Sequence, residues 1–167
     1  MYDIYQETWN TLTGPDASFE VVEIKVRNSP MRVYKNAPLS LREVWLGSLA
    51  YAERDYLVYG DERWTYAEVH LQVASIANWM ADQGIKPGDR VAISMRNYPE
   101  WLMIYWACVS TGIAAVGMNA WWVEEEIAYG LADSSPKALF CDEERVNRFL
   151  NIRDKFADLT TVGVRLE

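Results

Sequence analysis

At 167 residues the chain has the length of one ordinary domain, and half its residues are hydrophobic, enough for a real core. Sixteen basic against twenty-four acidic residues leave a charge of −8, scattered as on a solvated surface and of the wrong sign for a nucleic-acid binder. The longest apolar run, Trp101 to Val109, is nine residues, too short to span a bilayer, and MYDIYQETWN has no apolar signal core, so a cytoplasmic protein is expected.

In chain order, residues 1–19 show no clear period beyond the turn at Thr13-Gly14-Pro15-Asp16. Phe19 to Val26 alternates apolar and charged residues as a strand does, with a slip at Val22-Glu23 where a bulge would fit. Asn28-Ser29-Pro30 breaks it, and Met31 to Tyr34 reads as another short extended piece. Ser40 and Glu43 have the spacing of a capping box opening a helix, with Leu41, Val44, Trp45 and Leu49 on one face. Leu57 to Tyr59, a turn at Gly60-Asp61-Glu62, and Arg63 to Thr65 form a small hairpin. Thr65 and Glu68 repeat the capping-box spacing ahead of a long amphipathic helix carrying Val69, Val73, Ile76, Ala77 and Met80, stopped by Gly84.

The central stretch, Arg90 to Trp122, organises the rest. Val91 to Met95, after the turn Pro87-Gly88-Asp89, is a short run suited to a strand buried on both faces. Asn97 is placed to cap a helix with Pro99 in its first turn, and the apolar run to Val109 predicts a helix buried all round. Gly112 ends it, and Ile113 to Val116 make a second buried strand, so the segment is a βαβ crossover in a parallel sheet. Glu124, Glu125 and Glu126 fall in the first turn of a helix over Val123–Ala132, where negative charge favours the helix dipole; this explains them better than a catalytic carboxylate pair. Ala138 to Cys141 is a strand, Asp142 caps a helix running to about Phe156, and Thr161 to Val164 is a last strand. The sum is an α/β fold: an open, doubly wound, mostly parallel sheet with helices on both faces, plus N-terminal strands and a small hairpin. The expected organisation is an N-terminal extended segment over residues 1–37 and an α/β subdomain over 38–167. Leu166-Glu167 fits the remnant of a C-terminal tag.

The chemistry-bearing motifs are sparse. Gly112 and Gly117 have the glycine spacing of a phosphate-binding loop, but Met118-Asn119 follows where Lys and Ser or Thr are needed. No G-x-G-x-x-G follows a strand and no G-x-S-x-G elbow exists. His70, the one histidine, fits a surface or boundary position. Cys108 and Cys141 read as small apolar core residues, and no metal ligand set is present. No catalytic residue is assigned. The many Trp and Tyr suit core filling, and in loops also suit contact with a partner or ligand.

Four segments in this order resemble a known family. They are Tyr59-Gly60-Asp61-Glu62-Arg63-Trp64-Thr65-Tyr66-Ala67-Glu68, Gly84 to Ile93, Arg96-Asn97-Tyr98-Pro99-Glu100-Trp101, and Gly117-Met118-Asn119-Ala120-Trp121-Trp122 leading to Tyr129-Gly130-Leu131-Ala132-Asp133-Ser134. Over roughly residues 38–150 the chain resembles the N-terminal portion of AMP-forming acyl-CoA synthetases, in the adenylate-forming superfamily, and looks most like the fatty-acyl and related carboxylic-acid CoA ligases. The resemblance implies a full-length enzyme that uses Mg and ATP to make an acyl-adenylate, then transfers the acyl group to CoA. It also implies that the phosphate loop, the adenine-binding segment and the C-terminal lysine lie outside this chain. The chain then reads as a truncated piece, inactive alone, to which no ATP, Mg or CoA is expected to stay bound. Its partners would be the remainder of its own chain and, through the exposed cut face with Trp121 and Trp122, a second copy in a homodimer.

By the same resemblance, CoA would meet Asn119 and Trp121 in the loop after one strand, and Arg145 and Arg148 on the helix after Cys141. Two arginines three residues apart can clamp a phosphate. The other reading is a solvated helix face pairing with Asp142 or Glu144. At the level of function two alternatives stay open: a free-standing α/β interaction module, and the opening of another adenylate-forming enzyme, carrier-protein-loading or luciferase-like.

Overall fold

A computed structural model describes residues 2–166, which fall into two compact units, residues up to Ser40 and residues from Leu41. Glu167, half of the expected tag remnant, lies outside the described residues. In the first unit α1 (Tyr2–Thr13) is followed by β1 (Val21–Val26) and β2 (Ser29–Tyr34). The sequence reading missed this helix: Tyr2, Tyr5, Trp9 and Leu12 do recur at helical spacing, but all four are exposed and the helix buries nothing. The two strands pair antiparallel in unbroken register from Val21–Tyr34 to Val26–Ser29, with no bulge at Val22-Glu23. Arg27 and Asn28, both at positive φ, make the two-residue turn, so Ser29 and Pro30 belong to the second strand rather than breaking the first.

The second unit opens with α2 (Leu41–Gly47) and a 3₁₀ turn over Ser48–Tyr51. Of the expected apolar face only Trp45 is buried; Leu41, Val44 and Leu49 are about half exposed. The hairpin β3 (Asp55–Tyr59) and β4 (Glu62–Thr65) leads into α3 (Tyr66–Asp82). Thr65 caps α3 as its spacing predicts: its Oγ accepts from the Glu68 amide, and the Glu68 carboxylate accepts from the Thr65 amide.

The sheet comprises β5 (Arg90–Ser94), β6 (Ala114–Gly117), β7 (Ala138–Asp142) and β8 (Thr160–Val164). It is parallel throughout and ordered β6-β5-β7-β8. Helix α4 (Pro99–Thr111) joins β5 to β6, α5 (Glu124–Ser134) joins β6 to β7, and α6 (Glu143–Leu150) follows β7. Side chains alternate across the two inner strands. Val91, Ile93, Ala138 and Phe140 pack with Val69, Val73 and Met80 of α3 and Met103, Ile104 and Ala107 of α4. Ala92, Leu139 and Cys141 pack with Ile127 and Leu131 of α5 and Phe149 of α6. Both faces are therefore covered, as a doubly wound sheet requires.

Several expectations need correction. Tyr98, not Asn97, is the cap of α4, with Pro99 as its first helical residue. Helix α4 is not buried all round: Met103, Ile104, Ala107 and Cys108 are buried, while Trp101, Leu102, Tyr105 and Trp106 are only half covered, their rings packing partly on each other. Strand β6 is an edge strand, starting at Ala114, and its residues are half-buried or exposed. Helix α6 ends at Leu150, and a separate 3₁₀ turn spans Arg153–Phe156. Gly112 ends α4 in the left-handed conformation, where an added Cβ would also press on Pro87 at 3.3 Å.

Candidate functional site

The strand order fixes where a ligand can sit. From β5 the chain passes by α4 to β6 on one side, then returns by α5 to β7 on the other. In open α/β sheets the crevice at the carboxyl ends of two such strands is the usual binding place. Here that crevice is a cleft of about 790 Å³, lined by Tyr59, Arg96, Asn97, Tyr98, Asp142, Glu143, Glu144, Arg145, Arg165 and Leu166. Arg96 and Asn97 follow β5, Asp142 and Glu143 stand where β7 gives way to α6, and Arg165 follows β8.

Asp142 ties the two strand ends together. It is 3% exposed. Its Oδ2 accepts from the Arg96 amide at 2.9 Å, and its Oδ1 accepts from the Arg145 amide at 3.1 Å, capping α6. The expectation of a capping Asp142 therefore holds, with a second role across the switch point.

Arg145 is not on a solvated face; it is 2% exposed. Its Nη1 donates to Asp142 at 3.3 Å and to Glu144 at 2.9 Å, and its Nε donates to the Ala120 carbonyl at 2.7 Å. The pairing read from the sequence is present: Asp142 balances the buried cation from inside the protein, while Glu144, 53% exposed, meets it from the surface. Nη2 of Arg145 has no partner. Arg148 donates from Nη1 to the Trp122 carbonyl at 2.8 Å and pairs through Nη2 with Glu144. The fold thus brings together the four residues named from the sequence. Both arginines reach the 119–122 loop, Asn119 Oδ1 accepts from the Trp121 amide at 2.9 Å, and Trp121 is 67% exposed. Trp122 is not bare: it is half-buried, and its ring lies so close to Gly130 that a Cβ there would stand 2.7 Å from it.

The sequence reading missed Arg96. Its guanidinium lies 4.4 Å from the Trp121 ring centroid, and the Arg145 guanidinium lies 6.0 Å from the same centroid. The signal was available: Arg96 lies two residues beyond the last residue of a strand at the carboxyl edge. Arg165 closes the far side. Its guanidinium pairs with Glu62 and Glu100 and lies 5.1 Å from the ring centroids of both Tyr59 and Tyr98. Those hydrogen bonds hold the Glu62 carboxyl below the usual range and make Arg165 more basic still.

Outside the cleft, His70 Nε2 is 3.0 Å from Ser48 Oγ. The hydroxyl already donates to the Trp45 carbonyl at 2.6 Å, so the ring nitrogen donates to it, and the pair is not a nucleophile with its base. The ring stacks on Trp45 at 3.8 Å, and burial lowers its pKa. Both cysteines are free and buried, with thiol pKa values pushed up to about 12 by desolvation. Among the described residues no helix is long and apolar enough to cross a membrane.

Comparison with known proteins agrees with this architecture. The family model described as AMP-binding enzyme matches residues 48–166. The medium-chain fatty-acid–CoA ligase of Escherichia coli K12 is 30% identical over 138 residues, covering 76% of this chain and 24% of the ligase. The 2-succinylbenzoate–CoA ligase of Bacillus pumilus is 33% identical over 100 residues, 59% of this chain and 21% of that protein. Among solved structures, the anthranilate CoA ligase AuaEII in complex with anthranoyl-AMP superposes with a TM-score of 0.73 at 22% identity, over 77% of this chain and 26% of that one. The chain thus spans about a quarter or less of the length of the curated relatives it matches. It belongs to the AMP-binding enzyme family and corresponds to the N-terminal portion of its adenylate-forming acyl- and aryl-CoA ligases.

Proposed function

We propose that this chain is the opening part of an ATP-dependent carboxylic acid–CoA ligase, of fatty-acid type, that works through an acyl-adenylate. The observation that carries the reading is the family match over residues 48–166, and the cleft adds to it. In that enzyme Asn119, Trp121, Arg145 and Arg148 belong to the edge that receives the nucleotide end of CoA. What supports it is an exposed indole with the Arg96 and Arg145 guanidiniums 4.4 and 6.0 Å from its ring centroid, a setting suited to an aromatic group carrying negative charge. CoA supplies the thiol that accepts the acyl group; the residues here bind and orient its distant end. Uniform binding of that kind changes KM more than kcat.

ATP and Mg find no comparable set in this chain. Gly112 and Gly117 end a helix and a strand and are followed by Met118 and Asn119, without a phosphate-binding lysine. We therefore assign adenylation to the rest of the enzyme, place the protein in the cytoplasm, and read this chain alone as inactive. The domain division at residues 37 and 38 and a homodimer complete the proposal. The exposed Leu41, Val44, Leu46 and Leu49 favour association, which light scattering at high concentration checks: a monodisperse monomer argues against the homodimer.

The test of the CoA edge uses the whole ligase. Arg145→Ala with Arg148→Ala is expected to raise the KM for CoA while leaving the KM for ATP and acid near wild type. An unchanged KM for CoA ends the assignment.

A further inference from the structure

We propose that β1 is the contact strand between two copies of this chain: their β1 edges pair antiparallel about Ile24, with Glu23 of each copy opposite Lys25 of the other. The inference rests on the homodimer proposed above. It goes further by naming the surface, which differs from the exposed apolar residues of α2, and by fixing its register.

The backbone pattern of the hairpin shows which edge is open. Hydrogen-bonded and non-bonded residue pairs alternate along an antiparallel ladder. The Lys35 amide donates to the Glu20 carbonyl at 2.8 Å, so Val22–Val33, Ile24–Met31 and Val26–Ser29 are the bonded pairs. Val21, Glu23 and Lys25 therefore turn their N–H and C=O groups to the outer edge of β1. Pro30, Arg32 and Tyr34 turn theirs to the outer edge of β2. Among the described residues no further strand pairs with either edge. Pro30 has no N–H, so the β2 edge lacks a donor in mid-run, which is one way proteins blunt an edge. Strand β1 contains no proline, and its edge keeps every donor.

The side chains select the occupant and the register. A two-fold antiparallel pairing has to set outward-facing residues opposite one another. Centred on Glu23 it puts Glu23 opposite itself, and centred on Lys25 it puts Lys25 opposite itself; like charges directly opposite are destabilising. Centred on Val22 it leaves Lys25 without an opposite number in the strand. Centred on Ile24, each Glu23 faces a Lys25, and symmetry repeats the pair. The amides and carbonyls of both pairs then complete a ladder between the copies. Glu23 and Lys25 are exposed, and neither has an ion-pair partner among the described residues. On the other face the same register sets Ile24 beside Ile24 and Val22 beside Val26. Ile24 and Val26 are 43% and 39% exposed in the single chain. A two-stranded hairpin is marginal alone, and joining two of them gives its apolar face the neighbours it lacks.

The test is sedimentation velocity of the 167-residue chain over a dilution series, with amide hydrogen exchange read on the same samples. The wild type is expected to form a concentration-dependent dimer. Glu23→Lys and Lys25→Glu each set like charges opposite twice and should weaken it about tenfold or more. An equimolar mixture of the two single variants restores opposite charges at both positions and should return association to near the wild-type level, as should both changes in one chain. Glu7→Lys, the same charge change at an exposed position of α1, is the control and leaves the dimer intact. The Glu23 and Lys25 amides should be protected in concentrated wild-type samples and lose protection on dilution, while the outward Arg32 amide stays unprotected throughout. This readout needs no substitution, so it holds even where a variant loosens the hairpin. A dimer unmoved by either single variant, with no concentration-dependent protection at Glu23 and Lys25, overturns the inference and leaves the homodimer on another face. Protection at those amides in every dilution overturns it too, since the edge is then covered within one chain. A monomer at all concentrations overturns both the inference and the homodimer.

Discussion

In residues 2–40 a helix and a hairpin are held by their own backbone hydrogen bonds, and no described side chain is buried. In residues 41–166 two apolar layers enclose a four-stranded sheet, with Val91, Ala92, Ile93, Ala138 and Leu139 essentially inaccessible. Trp9 and Phe19 are 45% and 56% exposed, whereas Phe149 in the sheet unit is 1% exposed. Fully burying one such side chain stabilises by roughly 1.5–3 kcal/mol. The difference teaches where stability resides: the sheet unit supplies the cooperative core, and the polar cleft draws its rigidity from the strand ends beneath it.

Substitutions can break or sharpen that contrast. The largest effect is expected at the cleft floor. Asp142→Ala leaves the buried Arg145 cation short of its partner and uncaps α6, and should destabilise the sheet unit by about 3–5 kcal/mol in urea unfolding. Leu131→Ala opens a cavity between α5 and the sheet and should cost about 2–5 kcal/mol by the same measurement. Thr65→Ala removes the cap of α3 and should cost about 1 kcal/mol.

The thiols give a pH signature. Their pKa values are about 12 in the folded protein against 9.0 ordinarily, so the folded state holds these protons more tightly. Their contribution to stability is complete below about pH 9 and is lost as pH rises toward 12. Urea midpoints should fall across that window, and Cys108→Ala with Cys141→Ala should flatten the fall. The smallest effect belongs to the first unit. Trp9→Ala should change global stability by less than about 0.5 kcal/mol. A loss there as large as that of Leu131→Ala would remove the contrast altogether.

The sheet unit was legible because its residues speak twice, in local propensity and in burial. The run Val91 to Met95 is short and set between a Pro-Gly turn and Pro99, which favours a buried strand feeding a helix, and the Thr65–Glu68 spacing marks the start of α3. Strand order was not legible, since pairing is decided by long-range packing; this also hid the edge position of β6. Helix α1 was overlooked although Tyr2, Tyr5, Trp9 and Leu12 recur at helical spacing; the stripe is short, flanked by no capping signal the reading used, and buries nothing. At the site, the Arg145–Arg148 spacing pointed to the right helix, but burial of Arg145 depends on the Ala120 carbonyl, twenty-five residues earlier in the chain. Arg96 could have been marked by its place just beyond a strand's carboxyl end, but its position over Trp121 is set by the fold alone.

The most direct test of the proposed role is acid-dependent pyrophosphate release from Mg-ATP, measured on this chain alone and on the whole ligase it is proposed to open, with a series of fatty acids. The account predicts release by the whole enzyme and only background for the isolated chain. Release by the isolated chain, or none from the whole protein with any acid, would contradict it.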